Sequence, residues 1–390
     1  MELLRFTVET GHHQRAQVPL IIPITQNLPS TALAVHRLST GEILPAQIST
    51  SGVSFLLSSL PAGIKEHFAL IEAPTPLTTS IQVTEEGDDL TFTLDGKLVT
   101  RYHFRGPDLA RPYFWPVLGP GGHELTRAWP IIPDRPGETH DHPHHRSMWI
   151  AYGELDGIDA WSELPGHGRT IHVRFDSIAS GPVFGGFIET TRWIDSFGRQ
   201  LLEEQRTVRL YHCEETMRLL DLELLWTFER KDERGRRYSL GHVYVGDTKE
   251  AGLISIRVAT SMDAKANGRI ENAWGGVSET ETWGKRAPWC DYSGPVDGEI
   301  VGIAAFDHPT NLHFPCYWHV RNYGLMGANP FSGENFTGNP RENGATVFHP
   351  GDQLHFRYRV FMHRGNAAEA GIGNHWLSFG FPPAIRVESK

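Results

Sequence analysis

Short apolar runs, each about the length of one β-strand, recur along the chain and are separated by turn residues. The clearest run follows the turn Pro350-Gly351-Asp352, where apolar side chains occupy every second position from Leu354 to Met362 and alternate with polar ones. A period of two is typical of a strand that buries one face. The pattern predicts an all-β protein built from antiparallel strands.

Residues 1–79 are expected to form a small β-sandwich-like domain. They contain four strand-length apolar runs, namely Val18–Ile24, Ala32–Val35, Val53–Leu57 and Phe68–Ile71. The segment Glu72–Ser80, with two prolines and four hydroxyl side chains, has the composition of a loop. We expect it to link this domain to the rest of the chain.

Residues 80–390 are expected to form a large antiparallel β-sandwich that carries the functional site. The dipeptide Asp95-Gly96 predicts a hairpin turn between two apolar runs. The charged segment Arg230–Arg237 predicts a solvated hairpin tip, and Ala367–Gly371 is the one short helix that the pattern favours. The other predicted strands are Ile171–Ile178, Phe187–Ile194, Gln205–Tyr211, Met217–Phe228, Leu253–Ala259 and Ile300–Phe306.

Composition and charge narrow the class of protein. Hydrophobic residues make up 39% of the 390 residues and charged residues 21%, a balance typical of a globular chain. A formal net charge of −10 argues against a general nucleic-acid binder, which needs a basic surface. No window approaches 18 apolar residues, and the first residues lack the basic and apolar segments of an export signal. We therefore expect a soluble cytoplasmic protein with no membrane partner.

Cysteine content and strand type add two further expectations. Cys213, Cys290 and Cys316 are odd in number, far apart and without a CxxC spacing, so neither a disulfide framework nor a thiolate zinc site is indicated. An antiparallel sandwich either dimerises through an edge strand or stays a monomer, and the sequence favours neither state.

One run of histidines stands out from the rest of the sequence. Residues Pro136–Trp149 read PGETHDHPHHRSMW and contain four of the chain's 21 histidines. His140, His142 and His144 alternate with other residues, so in an extended backbone their imidazoles leave from one face and share one target. Pro143 donates no ladder hydrogen bond, which places the run on an edge or in an ordered loop.

Imidazoles in this pattern suit two kinds of chemistry. Histidine binds zinc, copper, iron and nickel, and it also exchanges protons near neutral pH. The sequence therefore predicts His140, His142, His144 and His145 as catalytic residues, and His140, His142 and His144 as ligands of one divalent metal ion if a metal takes part. Glu138, Asp141 and Arg146 are expected to orient the imidazoles or to pair with an anionic group. The alternative for each histidine is a hydrogen-bonded structural role.

Two further stretches, Thr282–Gly294 and Phe306–Phe331, combine aromatic and charged residues and are predicted to be long loops. Aromatic faces beside polar groups suit a sugar ring, whereas core packing is the alternative for any single tryptophan. Asp291 and Asp307 are the predicted assisting carboxylates. The expected substrate-binding residues are Arg146, Trp149, Trp161, Arg286, Trp289, Tyr292, His308, Trp318, His319 and Arg321. His242 is a weaker candidate for the site.

Several of these stretches together resemble a known family. They are GETHDHPHHRSMW, RPYFWPVLGPGG from Arg111, WGKRAPWCDYSG from Trp283, FDHPTN from Phe306 and YWHVRNYGLMGANPF from Tyr317. The resemblance is to the DUF6807 family, which has also circulated under the label "methane oxygenase PmoA". The resemblance implies a galactose-mutarotase-like β-supersandwich. Members of the family resemble proteins that are encoded near sugar oxidoreductases, which implies a role in carbohydrate metabolism. The resemblance carries no catalytic assignment.

The label itself conflicts with the sequence. A membrane methane monooxygenase subunit crosses the bilayer with long apolar helices, and the sequence predicts none. A soluble copper or iron oxidase stays open as an alternative, as does a non-catalytic sugar-binding or sensor protein. The expected function is a carbohydrate-active enzyme that cleaves a glycoside or an oxidised (keto) glycoside by histidine-based hydrolysis or elimination. A glycosidase with two catalytic carboxylates needs fewer histidines.

Overall fold

A computed structural model of the chain describes residues 1–24, 28, 32–75, 77–78, 80–237 and 241–388. The first strands are β1 (Glu2–Glu9), β2 (Arg15–Ile22), β3 (Leu33–Arg37), β4 (Ile43–Ser49), β5 (Gly52–Leu60) and β6 (Lys65–Glu72). They are followed by β7 (Ile81–Glu86), β8 (Asp89–Leu94), β9 (Lys97–His103), β10 (Tyr113–Val117) and β11 (Met148–Tyr152). Next come β12 (Arg169–Ala179), β13 (Phe184–Ile194), β14 (Gln200–Tyr211) and β15 (Met217–Lys231).

The remaining elements include three short helices. In chain order they are β16 (Val243–Val245), β17 (Ala251–Arg257), β18 (Arg269–Asn272), α1 (Ser278–Thr282), β19 (Trp289–Val296) and β20 (Glu299–Asp307). Then follow β21 (Tyr317–Arg321), β22 (Leu325–Asn329), α2 (Gly333–Thr337), β23 (Thr346–Phe348), β24 (Gln353–Arg364), α3 (Ile372–Gly380) and β25 (Ala384–Val387). Single 3-10 turns lie at Pro120–Gly122, Thr260–Met262 and Pro340–Glu342.

The strands form three large antiparallel sheets, so the predicted all-β sandwich is confirmed. The front sheet has the order β21-β22-β17-β11-β10-β9-β8-β7, and the rear sheet β12-β13-β14-β15-β24-β20-β19-β18. The N-terminal sheet has the order β2-β5-β4-β3-β6-β1-β25. Strands β16 and β23 form a separate pair.

The main core lies between the front and rear sheets. The Tyr102 ring on β9 of the front sheet stacks on Phe187 of β13 in the rear sheet, with ring centroids 4.6 Å apart, and Phe92 contacts the same ring from β8. Facing side chains of two sheets that interdigitate in this way form the core of a sandwich. The core uses the inner face of the front sheet, so the residues on its outer face lie outside this core.

The N-terminal sheet has an apolar cluster of its own. Phe6, Phe55 and Phe68 lie at its centre, with ring centroids 5.5–6.2 Å apart. Gln47 ties this sheet to the rear sheet, because its side chain donates to the carbonyl of Phe184 and accepts from that residue's N–H. The predicted large domain extended to residue 390. In the structure, however, the last strand, β25, pairs with β1 and completes the N-terminal sheet.

Two local predictions were wrong. The helix predicted at residues 367–371 begins later, at Ile372, because residues 367–371 form turns that lead into it. The stretches predicted as long loops contain β19, β21 and β22, whose residues are mostly buried. Their aromatic side chains pack into the core, as Trp318 does, and this burial favours strands over solvated loops. The linker predicted at 72–80 includes residues 76 and 79, which lie outside the described residues.

Other features agree with expectation. The segment 230–237 forms a charged hairpin end, in which Lys231 and Arg237 bridge across the turn. The described helices are short, α3 having nine residues, and none of them is long and apolar enough to cross a membrane.

One row of residues crosses the outer face of the front sheet. In register across neighbouring strands stand His103, Tyr113, Trp149, Ser255, Gly327 and His319. Residues that lie directly opposite one another share a face of the sheet. An aromatic cluster that includes Tyr113, Trp149 and Trp161 covers the middle of this face. The histidine run leads directly into β11 and lies over the same face.

Candidate functional site

The histidine run is a loop that wraps around one buried guanidinium group. Arg127 donates to the backbone carbonyls of Thr139 at 3.0 Å, Asp141 at 2.9 Å and His142 at 3.3 Å. His142 accordingly has a φ of 44°, and its carbonyl also accepts from the His145 N–H at 3.0 Å. The expected extended backbone was therefore wrong, because the carbonyls turn inward to satisfy Arg127, and the expected ordered loop is present.

Asp141 is held between two arginines. Both Arg127 and Arg257 have fully buried side chains and donate to its carboxylate, Arg257 at 2.9 and 3.1 Å. Opposite charges favour the ionised form of an acid. Although burial acts in the other direction, Arg257, Arg127 and a hydrogen bond from His142 hold the pKa of Asp141 well below its usual range. Asp141 is therefore an anion that only accepts hydrogen bonds.

This charge state fixes the tautomer of His142. Its Nδ1 lies 2.8 Å from Asp141 Oδ2, and because the carboxylate carries no proton, Nδ1 is the donor. The neutral ring then has its lone pair on Nε2. The His142 side chain is 38% exposed. An oriented imidazole with an accessible basic nitrogen is suited to accept a proton.

His145 and Tyr323 lie beside His142 in nearly parallel planes. The His142 ring centroid is 4.7 Å from that of His145 and 4.9 Å from that of Tyr323, with interplanar angles of 11° and 14°. Tyr323 occupies the turn between β21 and β22, where Gly324 takes a φ of 93° and closes the hairpin. The turn thus brings an aromatic residue from a distant part of the chain to the histidine loop.

His145 is neutral and buried. Arg257 Nη1 lies 3.2 Å from its Nδ1, and since a guanidinium only donates, Nδ1 is the acceptor and Nε2 carries the proton. Burial, His144 and Arg257 lower the pKa of His145 well below its usual value. Burial and Arg111 lower the pKa of His144 to about 4. Both rings are therefore uncharged at neutral pH.

Two buried tryptophans, Trp149 and Trp161, pack against the imidazoles. Trp149 stacks on His145 with centroids 5.2 Å apart, and Trp161 contacts both rings. They are only 0 and 1% exposed, so neither presents an open face for the predicted contact with a sugar ring. Their indole N–H groups have no partner among the described residues. The partly exposed rings next to them are those of His142 and Tyr323.

A second carboxylate is also shared by two arginines. Glu163 accepts from Arg111 at 2.9 Å and from Arg146 at 2.9 and 3.1 Å. Against the opposing effect of burial, these contacts lower the pKa of Glu163. Arg146, predicted to bind substrate, is thus committed to Glu163. Arg111 also donates to the Trp161 carbonyl at 2.9 Å and so fixes the segment below His144.

The predicted assisting carboxylates lie elsewhere, in the rear sheet. Asp291 on β19 is fully buried and lies 3.0 Å from His363 Nε2. Asp307 at the end of β20 is also fully buried and accepts from Asn311 and from the Cys316 N–H. Burial raises the pKa of Asp307 to about 6. The structure does not bring either carboxylate to the histidine loop.

Most of the other predicted binding residues are likewise engaged within the fold. Arg286 donates to the carbonyls of residues 313–315. Trp318 donates to the Ala287 carbonyl, and Tyr292 to the carbonyls of Arg321 and Asn322. His308 contacts Thr310, and Trp289 packs against the cluster beneath α3. His242 is exposed.

Two predicted residues do lie near the cluster. Arg321 pairs with Glu279 at 3.0 Å, and its guanidinium lies 5.5 Å from the Tyr323 ring centroid. His319 is buried on the same face of the front sheet, two residues before Arg321, and burial and Arg321 lower its pKa to about 3. Both extend the site along β21.

The predicted metal ligands are separated by their contacts in this loop. His140 stacks on Trp129, with centroids 4.4 Å apart, whereas His142 contacts Asp141 and His145. Across the described ranges, no group of three or more His, Cys, Asp or Glu side chains is placed to hold a metal ion. The metal ligands remain a prediction.

Sequence reasoning missed Arg127, Arg257, Glu163 and Tyr323. Arg257 carried a signal, because it is the one charge in the apolar strand AGLISIR, residues 251–257, all of which are buried. A cation in such a strand needs a buried counter-charge. Glu163 lies in a loop and Tyr323 in a turn, and neither gave a periodic signal.

Comparison with known proteins agrees with the resemblance seen in the sequence. A family model described as "Family of unknown function (DUF6807)" matches residues 89–377. A search of curated proteins finds no match. The methane-oxygenase label receives no support from these comparisons. The matched span covers more than half of the chain and includes the histidine loop, both arginine pairs and Tyr323, and the chain therefore belongs to the DUF6807 family.

Proposed function

We propose that this protein is a carbohydrate-active enzyme that cleaves a glycoside or a keto-glycoside with His142 as its general base. The observation that carries the proposal is the Asp141–His142 pair, in which the carboxylate orients the ring and leaves Nε2 free at the surface. Asp141 also stabilises the imidazolium that forms when His142 takes a proton. The assignment of a sugar as the substrate rests on the family resemblance.

The carboxylates of the site favour this mechanism over that of a two-carboxylate glycosidase. Such an enzyme needs one carboxyl group that stays protonated and donates to the leaving oxygen. Asp141 and Glu163 are each bound by two arginines, which lower both pKa values, so neither holds a proton at neutral pH. Compared with these two carboxylates, His142 is the better group to move protons.

At a keto-glycoside the natural reaction is β-elimination. A carbonyl makes the proton on the adjacent carbon acidic enough for an imidazole to remove it, and nearby cations stabilise the resulting enolate. Arg257, within 3.2 Å of His145 and bound to Asp141, places positive charge beside His142. At an ordinary glycoside, the same nitrogen would deprotonate a water molecule for hydrolysis.

The test is turnover of a panel of glycosides and 3-keto-glycosides by wild-type protein and His142→Gln. We expect cleavage by the wild type and a loss of about 100-fold or more in kcat for the variant. His12→Gln, in an exposed N-terminal turn, is the matched control and should retain full activity. An ultraviolet-absorbing enone product indicates elimination, and a saturated sugar indicates hydrolysis. Equal activity of His142→Gln and wild type would refute the role of His142.

The same preparations decide two alternatives. A sugar-binding protein gives binding without turnover, and the buried, neutral His145 fits such a structural network. A metal-assisted enzyme or oxidase gives near-stoichiometric metal by elemental analysis, in protein purified without chelator or nickel, that disappears in a folded His142→Ala/His144→Ala variant. Consumption of oxygen with substrate singles out the oxidase.

A further inference from the structure

Tyr323 is a second partly exposed aromatic residue beside His142. It lies in the β21–β22 turn, and its ring is partly exposed and stacked on His142 at 4.9 Å. No described residue donates to or accepts from its hydroxyl group. A partly exposed phenol with no partner in the fold, next to a proposed general base, is available to a ligand.

We propose that Tyr323 is the general acid that protonates the leaving oxygen while His142 acts as base. The assignment rests on the proposed function and names its missing proton donor. His142 and Tyr323 come from different segments of the chain and meet in nearly parallel planes, 14° apart. Both rings are partly exposed, so a ligand bound beside the pair can reach one group that accepts a proton and one that gives it.

The charges around Tyr323 suit a proton donor. Three cations lie close to its ring centroid: Arg257 at 4.8 Å, Arg321 at 5.5 Å and Lys265 at 5.7 Å. They stabilise the phenolate that remains after the proton has left. The carboxylates that face the ring are those of Glu250 and Asp141. Burial raises the pKa of Tyr323, so the phenol keeps its proton at neutral pH until the leaving oxygen develops charge.

Elimination at a keto-glycoside is then balanced within the pair. Nε2 of His142 takes the proton from the carbon next to the carbonyl, and the electrons of that C–H bond form the new C=C bond. The bond between the β-carbon and the glycosidic oxygen breaks, with its electrons passing to oxygen, and the Tyr323 hydroxyl protonates that oxygen. The products are an enone and an alcohol. Proton transfer from the His142 imidazolium to the Tyr323 phenolate restores both groups, and no redox partner is needed.

Leaving-group dependence tests this role. A 4-nitrophenyl group departs as a stabilised anion and needs little protonation, whereas a methyl alkoxide needs a general acid. With 3-keto-glucosides that carry these two groups, Tyr323→Phe should lower kcat for the methyl glycoside by about 100-fold or more and for the nitrophenyl glycoside by about 5-fold or less. Phenylalanine keeps the ring that stacks on His142. Tyr244→Phe, at an exposed position on β16, is the matched control and should alter neither rate.

The outcomes separate the two proposals. Equal losses for both glycosides, or none, overturn the role of Tyr323 and leave His142 as base. A selective loss in Asp263→Asn instead of Tyr323→Phe also overturns it, because burial raises the pKa of Asp263 to about 6 and makes it the rival acid. A wild-type protein that cleaves neither glycoside overturns both proposals. If Tyr323→Phe fails to fold, the wild-type pH profile substitutes, and an alkaline loss of rate for the methyl glycoside alone is the expected result.

Discussion

Asp141 Oδ2 and His142 Nδ1 lie 2.8 Å apart on adjacent residues, and the same carboxylate accepts from the buried guanidinium of Arg257. One acid thus orients an exposed imidazole and neutralises buried cations. The carboxylate links the stability of the loop to its chemistry.

Replacing this carboxylate by an amide should affect both properties. Asp141→Asn leaves Arg127 and Arg257 buried without their counter-charge, and we expect a loss of about 2 kcal/mol in the free energy of unfolding. The loss is smaller than for a fully buried pair because the Asp141 side chain is 37% exposed. Turnover should fall by about 10- to 100-fold, because His142 loses its orientation. Urea denaturation and initial rates measure the two effects.

A control at another acid identifies what is specific to Asp141. Asp297→Asn changes the net charge equally, but its side chain is 76% exposed, and its one ion-pair partner among the described residues is His123 at 3.3 Å. Its effect on stability should stay within about 0.5 kcal/mol. A similar response of both variants would mean that Asp141 contributes only surface charge.

The extent to which the sequence predicts this site follows from distance along the chain. The strand patterns of β15 and β24 depend on neighbouring residues, and both strands form where a period of two predicts them. The proximity of Asp141 to His142 could also be predicted, because the two residues are adjacent in the sequence. Arg257, however, reaches Asp141 from 116 residues away, and the turn that carries Tyr323 is placed by sheet pairing. Such contacts depend on topology, which local periodicity does not specify.

A buried polar network between the two main sheets supplies a second prediction. Tyr102 on β9 donates to Glu189, accepts from Arg206 Nη1 at 2.7 Å, and lies fully inside the core. Tyr102→Phe removes one oxygen and leaves two charged groups short of a partner, so we expect a loss of about 3 kcal/mol. Tyr152→Phe, which loses one bond to the neutral carbonyl of Gly246, should lose about 1 kcal/mol. Equal losses would argue against a charged network.

Stability should also fall as the pH drops below about 6.5. Burial lowers the pKa of five histidines: to about 4 for His144, His308 and His375, to about 3 for His319, and well below its usual value for His145. Their unfolded pKa is about 6.5, so between pH 6.5 and 4 the unfolded chain binds more protons and is favoured by acid. Among the acids of the described residues, burial raises the pKa of Asp263 and of Asp307 to about 6, and these two groups oppose the trend.

The measurement is the melting temperature at pH 7.5, 6 and 5. We expect a progressive decrease across this range, and a smaller decrease for His375→Phe, whose ring contacts Phe361 at 4.6 Å. His12→Gln should follow the wild type. A melting temperature that stays level or rises down to pH 5 would mean that the two aspartates outweigh the histidines.

The last prediction concerns Gly324, in the turn that carries Tyr323. Its backbone has a positive φ, and other side chains lie close to its Cα. Its φ is +93°, and an added Cβ would lie 2.5 Å from Asp263 Oδ1 and 3.4 Å from Arg257 Nε. Gly298, in the β19–β20 turn, has a φ of +87° with no atom within 4 Å of the same point. Alanine at Gly298 should therefore cost only the backbone strain, about 1 kcal/mol.

Alanine at Gly324 adds the contact to that strain. Asp263 or Arg257 has to move, and Arg257 is bound to Asp141 and lies 4.8 Å from the Tyr323 ring centroid. We expect Gly324→Ala to lose at least about 1 kcal/mol more than Gly298→Ala in urea denaturation, and to lower kcat where Gly298→Ala does not. If the two variants lose stability equally and both keep full activity, then the turn tolerates displacement, and the position of Arg257 is not what holds the site together.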